Sequence, residues 1–471
     1  MPEMAWAVAF LLVALIELLL QKSRWQSQIP AILRGTVFGT GVLVIALLIY
    51  QWNDGSGHLF HRLFFLDSQA VFFKITVVVV TLFVLAHLHL TRPPLPAEFY
   101  VVLPAVLLGL HLMTMAVNGL SIYLSIELVS IGSYLFAGFG KGAKPAEGAL
   151  KYLLFGAISS AVMLYGLSLL YGMATTLDFT NEAFAENLSQ NATWVTSVAV
   201  FLTLGGVFFK LSLVPFQAWV PDVYEALPLP VAAFFSVAPK AAALLILMRL
   251  LSVLPVAFQV PLAAISLASI LVGNVSALWQ NDLRRLLAYS GIAQAGFMVV
   301  GLVAFNQTGF EGATFYLVVY ALTNLAVFLL IDLLGAGQTD LRELAGLGRE
   351  QPFFAVAFTV AAVSLVGLPP TAGFTAKLLV FSALWDSYQT TPSPWLLALL
   401  ILGLLNAVVS LGYYFKLPFY LFFRERLANG AANKLEKSLQ PLAILLVLLL
   451  VLPVVLLFFQ PNWLMDFISK L

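Results

Sequence analysis

FFKLSLVPFQAWVPDVYEALPLPVAAFFSVAPK, residues 208–240, is the stretch on which the fold turns. Apolar sequence enters it and leaves it. Inside lie Lys210, Pro215, a short acidic turn, Pro228, Pro230 and Lys240. Proline lacks a backbone donor and clashes with the preceding turn, so the helix carrying Lys210 is expected to break at Pro215. Broken backbone at membrane depth is tolerated only where protein or a watery cavity satisfies the freed groups. An ammonium beside such a break is costly and marks a functional site by default. The plain alternative is a kinked helix whose lysine snorkels to the surface.

Outward from this stretch, the whole chain is apolar. Of its 471 residues, 61% are hydrophobic and 10% charged, which describes an integral membrane protein. The net charge of +1 gives no reason to expect nucleic acid. Cysteine is absent, so this chain alone builds no iron–sulfur cluster, thiolate metal site or disulfide. Five histidines are scattered, and His87 and His89 read as interfacial rather than as a metal site. No phosphate-binding or dinucleotide fingerprint appears. Met4 to Leu20 is not a signal peptide, because Lys22 and Arg24 follow it instead of preceding it. That order also expects an outside N-terminus.

Fourteen spans of about 20 residues fit the hydropathy. They fall near 4–20, 31–52, 67–90, 98–117, 119–139, 147–173, 193–224, 228–251, 257–280, 284–305, 312–335, 352–386, 395–421 and 439–459. The seventh and twelfth are too long and too interrupted for simple helices. Loops after odd-numbered spans hold 14 Lys and Arg: Lys22, Arg24, Arg34, Arg92, Lys141, Lys144, Arg284, Arg285, Arg342, Arg349, Arg424, Arg426, Lys434 and Lys437. Loops after even-numbered spans and the tail hold 3: Arg62, Arg249 and Lys470. That bias places the odd loops inside and both termini outside.

Six basic residues remain within spans, and all are lysine: Lys74, Lys151, Lys210, Lys240, Lys377 and Lys416. Lysine releases its proton readily when buried, whereas arginine keeps it. Each costs about 2.5–3.5 kcal/mol at a helix centre by insertion scales. Lys74 and Lys416 lie near helix ends, where snorkelling is open to them. Lys151 follows Glu147 by four residues, so an ordinary helical ion pair is its bland reading. Lys240 follows Pro239 at mid-span, and Glu127 is a mid-span carboxylate on the fifth helix. Glu17 and Asp332 also lie within or near spans.

A second break follows in VSLVGLPPTAGFTAKLLVF, residues 363–381, with Pro369, Pro370 and then Lys377. The two broken spans run in opposite directions and sit five spans apart, as an inverted-topology repeat requires. The expected fold is therefore all-α, with two inverted five-helix repeats. The first repeat covers spans 4–8 (98–251) and the second spans 9–13 (257–421). Residues 1–97 and 439–471 flank them. Span 10 carries Ser290 and Gln294 but no carboxylate, so the second repeat is expected to give a hydrated half-path with Lys377 as its main titratable group.

The stretch 209–240 resembles the signature of spans 7 and 8 of subunit N of bacterial respiratory complex I. LVGLPPTAGFTAK, NDLRRLLAYSGIAQAGFMVVG and LSIELVSIGSYLFAGF resemble other parts of the same subunit, so the likeness covers essentially the whole chain. YEALPLP departs from it at Ala226 and Leu227. The resemblance implies a proton path built from an acid on span 5, Glu127, and from lysines on spans 6, 7, 8 and 12: Lys151, Lys210, Lys240 and Lys377. It implies a modulated Glu127–Lys151 ion pair, and protons moving from the cytoplasm to the outside of a bacterial inner membrane. Ser159, Ser160, Ser212 and Ser236 stand as water-holding neighbours or as plain packing serines. It further implies that this chain binds no cofactor, while flavin mononucleotide, iron–sulfur clusters and quinone sit on partner subunits. The neighbours would be M-like and K/J-like membrane subunits together with lipid. It also expects no long amphipathic arm of the kind subunit L carries. Two alternatives are a subunit of an Mrp-type cation/proton antiporter or membrane-bound hydrogenase, and a structural membrane scaffold.

Overall fold

Capping residues set the helix boundaries. Asp67 accepts from the Ala70 amide to start one helix, Asn118 closes a capping box with Ser121, and Asp282 accepts from the Arg284 and Arg285 amides. The computed structural model describes residues 1–22, 25–52, 55–140, 142–191, 193–254, 256–335, 337–425 and 439–471. Arg24, Lys141, Arg426, Lys434 and Lys437, counted above among the inside loops, lie outside the described residues.

In chain order the helices are α1 Pro2–Leu20, α2 Ile29–Gln51, α3 Ser68–Thr91, α4 Ala97–Met115, α5 Gly119–Gly138, α6 Ala143–Ala174 and α7 Glu182–Ser189. There follow α8 Thr193–Leu211, α9 Val220–Ala226, α10 Leu229–Leu251, α11 Gln259–Leu278, α12 Leu283–Val303 and α13 Gln307–Gly335. The rest are α14 Leu347–Glu350, α15 Pro352–Val366, α16 Ala372–Thr390, α17 Pro394–Tyr414, α18 Lys416–Phe423, α19 Gln440–Phe459 and α20 Asn462–Ile468. A hairpin of β1 Gly57–Leu59 and β2 Phe64–Leu66 joins α2 to α3.

Thirteen helical segments among the described residues are long and apolar enough to cross a membrane. The fourteenth crossing is the broken pair α15–α16, whose first half has only 15 residues. The chain is thus a multi-pass, all-α membrane protein. The short α7, the hairpin and α20 carry no span-length apolar run, and hydropathy did not reveal them.

The two breaks share one backbone device. After α8, Ser212 is left-handed at φ 65°, its amide donates to Phe209 O, and the Leu213 amide donates to Phe208 O. After α15, Gly367 is left-handed at φ 84°, its amide donates to Ser364 O, and the Leu368 amide donates to Val363 O. Both are Schellman-type ends. Each is followed three residues later by the proline of a cis peptide, Val214–Pro215 and Pro369–Pro370. A second correspondence lies at the loops. The N-cap Asn118 of α5 bridges Asp178 beyond α6, and the N-cap Asp282 of α12 bridges Asp340 beyond α13.

Burial sorts the helices. The apolar stretch of α10 is wholly buried and those of α12 and α13 nearly so, whereas most of α1, α2 and the α17–α18 crossing lies outside the buried core. Helices α10, α12 and α13 therefore form the protein-lined centre. Polar side chains there must find protein or water partners.

Candidate functional site

At the first break, Lys210 is the penultimate residue of α8. Its side chain is 2% exposed, and Nζ has no hydrogen-bond partner among the described residues. Its ring neighbours are Phe209 and Tyr152, 5.7 and 6.0 Å from Nζ to the centroids. The Glu127 carboxylate on α5 lies within electrostatic reach of it. Glu127 accepts a hydrogen bond from Ser160 on α6.

At the second break, Lys377 lies one turn into α16 and reaches back over the end of α15. Its Nζ donates to Val366 O at 2.5 Å and to Leu365 O at 3.3 Å, and it stands 4.5 Å from the Phe297 ring centroid. These carbonyls belong to the last turn of a helix, where a cation is favoured.

Between the breaks runs a chain of buried polar groups. Lys240, at the centre of α10, donates to Gly291 O of α12 at 2.7 Å. The adjacent Ser290 hydroxyl bonds the Tyr414 hydroxyl at the end of α17. Gln294, one turn along α12, donates to that phenol at 3.3 Å and to Leu365 O at 2.8 Å. Lys377 donates to the same Leu365 O. Tyr316 of α13 donates to Gln294 Oε1 at 2.5 Å, which fixes the amide's orientation. Lys240 and Lys377 are therefore the two ends of one nearly continuous polar link through the protein centre.

Lys151 stands apart from these groups. Its ammonium pairs with Glu147 Oε1 at 2.7 Å, as the four-residue spacing suggested, and with Asp222 Oδ2 at 2.7 Å. Asp222, on α9, offers its other oxygen to Arg285 of α12 at 2.8 Å. Glu225 accepts from Arg285 at 2.8 Å and from Lys144 at 3.0 Å. Burial pushes the Asp222 carboxyl up, but hydrogen bonds from Lys151 and Arg285 outweigh it and hold the group below the usual carboxylate range.

This geometry corrects the expected Glu127–Lys151 pair. Ser160, which holds Glu127, is nine residues beyond Lys151 on α6, about 13.5 Å along the axis. Tyr134 stands between, its hydroxyl lying against Gly156 where a Cβ would overlap it. Lys74 is corrected too. It does not snorkel; it is fully buried and pairs with Glu3 at 2.6 Å. Lys416, near its helix end, donates to Leu278 O. His87 is buried and pairs with Asp332 at 3.0 Å, and His89, half-buried in the last turn of α3, contacts Arg34. Glu17 bonds Gln21 on its own helix. Among the described residues no three histidines or carboxylates cluster as metal ligands.

The serines divide. Ser160 holds Glu127, Ser159 donates to Gly205 O, and Ser236 accepts from Asn324. The Ser212 hydroxyl is buried without a hydrogen-bond partner among the described residues.

Residues 116–406, more than half of the chain, match the family described as NADH:quinone oxidoreductase/Mrp antiporter, transmembrane. The chain belongs to that family. Within it, NADH-quinone oxidoreductase subunit N 2 of Chloroherpeton thalassium is 34% identical, aligned over 98% of this chain and 92% of that protein. NAD(P)H-quinone oxidoreductase subunit 2 of Synechococcus sp. (strain JA-3-3Ab) is 38% identical over 88% of this chain and 78% of that protein. Among solved structures, a chain of respiratory complex I from Thermus thermophilus with bound aureothin superposes with a TM-score of 0.84 at 28% identity, covering 99% of each chain. A chain of the Mrp complex from Dietzia sp. DQ12-45-1b superposes at 0.82 with 19% identity, covering 99% of this chain and 96% of that one. That second likeness shows the fold alone. The family's fold is the one described above, and its members include chains of multisubunit membrane complexes.

Three groups escaped sequence reading: Tyr316 and Tyr414 at the centre, and Asp222 beside Lys151. A tyrosine in an apolar helix reads as packing, and Asp222 reads as part of a turn. Arg285 was counted as an inside loop charge, with no sign that it shares Asp222 with Lys151.

Proposed function

We propose that this chain is the antiporter-like, proton-translocating membrane subunit, of the subunit N type, of an NADH:quinone oxidoreductase. It lies in a bacterial inner membrane with both termini on the outer side. The basic bias of the odd-numbered loops supports that sidedness. Residues 98–251 and 257–421 act as two oppositely oriented half-paths, flanked by 1–97 and 439–471. The observation that carries the reading is the buried polar link from Lys240 through Ser290, Tyr414, Gln294 and Leu365 O to Lys377.

In this reading protons enter from the cytoplasm near Lys210. Lys210 Nζ, Ser212 Oγ, Tyr224 OH and Tyr320 OH are buried without a hydrogen-bond partner among the described residues, and in this reading they line the way to Lys240. Such atoms at membrane depth call for water. Glu127 acts on Lys210, and Ser160 positions Glu127. Moving one charge against 100 mV costs about 2.3 kcal/mol, the size of a change in proton affinity of about two pKa units. Lys151 takes part at the entrance, where Asp222 and Arg285 tie the two half-paths together. The proton then passes along the central link and leaves beyond Lys377.

The chain has no thiolate to hold a redox centre. Flavin mononucleotide, iron–sulfur clusters and quinone belong to partner subunits, and M-like and K/J-like membrane subunits are its neighbours. Cation/proton exchange of the Mrp type shares the family description and the fold, but the curated relatives at 34–38% identity are quinone oxidoreductase subunits.

The test uses the intact complex in vesicles. Lys210→Met and Lys377→Met are each expected to cut the protons released per quinone reduced at least twofold. Vesicles that charge at the normal ratio with either variant would overturn the proposal.

A further inference from the structure

The central path leaves one cluster of buried ionisable groups unused. It lies in the flanking helices. Lys74 of α3 is fully buried, and its ammonium has two neighbours, Glu3 Oε1 at 2.6 Å and Met115 Sδ at 3.0 Å. His111 of α4 is fully buried as well, and its Nδ1 stands 3.8 Å from the same Glu3 oxygen. The Trp6 indole donates to His111 Nε2 at 3.3 Å. Indole nitrogen is donor only, so this bond needs a neutral imidazole whose proton is on Nδ1, facing Glu3. Glu3 itself is 18% exposed. The other charges facing the cluster are the Met1 amino group, 3.7 Å from Glu3 Oε2, and the Asp67–Arg249 pair that joins α3 to α10 at 2.7 Å.

Depth connects this cluster to the lysine file. The Asp67–Arg249 pair pins the start of α3 to the end of the antiparallel α10. Lys74 is seven residues from that pin and Lys240 nine, or about 10 and 13 Å at 1.5 Å per residue. Lys74 and Lys240 therefore lie at one level, on two helices that pack against each other. A two-group ion pair suffices to staple α1 to α3. A third titratable group, locked by Trp6 into the tautomer that points at the same oxygen, serves proton chemistry instead.

We propose that Glu3, Lys74 and His111 form a proton-release site on the outer side of the membrane. This rests on the proton-translocating reading above and adds an outlet to it. Lys74 Nζ passes a proton to Glu3 Oε1 along their contact, leaving a neutral amine and a neutral acid. Glu3, the partly exposed member, loses the proton to the outer phase, and the amine takes the next proton from the α3–α10 side. His111 Nδ1–H positions and stabilises the carboxylate that forms.

The test is proton release per quinone reduced by the intact complex in vesicles. Glu3→Gln and Lys74→Met are each expected to lower the ratio at least twofold. The swap Glu3→Lys with Lys74→Glu restores the ion pair. It puts an amine at the exposed end, where an unperturbed lysine, with a pKa of about 10.4, holds its proton. The swapped complex is expected to assemble but still to pump at less than half the normal ratio. His111→Phe keeps the ion pair and is expected to move the acid limb of the pumping–pH profile to higher pH. Full pumping by the swap, or by both single variants, would reduce the cluster to a staple. An unmoved profile for His111→Phe would overturn the site as well. Lys377→Met in the same assay separates the two ideas. If it is impaired while the flanking variants pump normally, only the outlet falls; if it too pumps normally, the lysine file falls.

Discussion

Replacing Gln294 with leucine tests the central link at its narrowest point. This one amide joins four helices: it sits on α12, donates to Leu365 O of α15 and the Tyr414 hydroxyl of α17, and accepts from Tyr316 of α13. Leucine fills similar space and makes none of these bonds. A net loss of about 1 kcal/mol for each of three hydrogen bonds gives roughly 3 kcal/mol of lost organisation. If that organisation aligns the transfer from Tyr414 toward Lys377, the same 3 kcal/mol on the barrier slows it about a hundredfold. The assay is the rate of vesicle acidification, normalised to assembled complex and to quinone reduction. Gln294→Leu is expected to abolish measurable pumping through this subunit. Gln294→Glu, which keeps an acceptor for Tyr316, is expected to retain part of it. An assembled Gln294→Leu complex that pumps above half the normal rate would refute the assignment of the link as the proton's route.

Two further expectations follow from the two ends of the path. Asp222 is held below the usual carboxylate range despite its burial, because Lys151 and Arg285 hydrogen-bond it. A depressed folded pKa gives stability that is present above the unfolded value, about 3.9, and is lost as pH falls through the folded one. Thermal stability of the purified complex should therefore drop in wild type as pH falls below about 4, and Asp222→Asn should start lower and lose less, by scanning fluorimetry. At the other end, Gly367 is left-handed at φ 84°, and a Cβ there would stand 2.7 Å from Lys377 Cδ. Gly367→Ala is expected to cost about 1–2 kcal/mol in backbone strain and to displace the Lys377 ammonium, lowering pumping severalfold. Ser212 already carries a Cβ at the matching position, so Ser212→Ala should leave the break's backbone intact; comparing the pumping ratios of the two variants checks both.

Much of this was written in the sequence because membranes constrain it so tightly. Apolar runs of span length, prolines at 215, 369 and 370, and lysines at 210, 240 and 377 led directly to two broken helices and to the buried lysines beside and between them. What stayed hidden were partner choices set by three-dimensional packing. Nothing in the spacing of Glu127 and Lys151 reveals that α6 sets Ser160, and not Lys151, beside Glu127 on α5. Asp222 and Arg285 are 63 residues apart and meet only because α9 folds against α12. Tyr414 ends a helix whose other residues mostly face outward, so no hydropathy pattern marks its hydroxyl as central. Lys74 misled for the opposite reason. Its place near a helix end suggested snorkelling, yet Glu3, at the far start of the chain, supplies the partner that lets it stay buried.

The likeness of the two breaks makes their one difference informative. Both end a helix with the same turn, and both set an ammonium near the last carbonyls, where the helix dipole favours a cation. Lys377 follows its break, so its chain runs back toward those carbonyls, and it donates to two of them. Lys210 precedes its break, and side chains on a helix lean toward the N-terminus, away from the freed carbonyls. The Trp219 indole takes the Phe209 carbonyl instead. Lys377 is therefore held by fixed dipoles that do not change during a cycle. Lys210 has no such carbonyl partner among the described residues, and Glu127 is the carboxylate that acts on it across space. In the proposed function one half-path carries the control and the other a fixed relay, with the carboxylate on α5 and Ser290 and Gln294 at its counterpart position on α12.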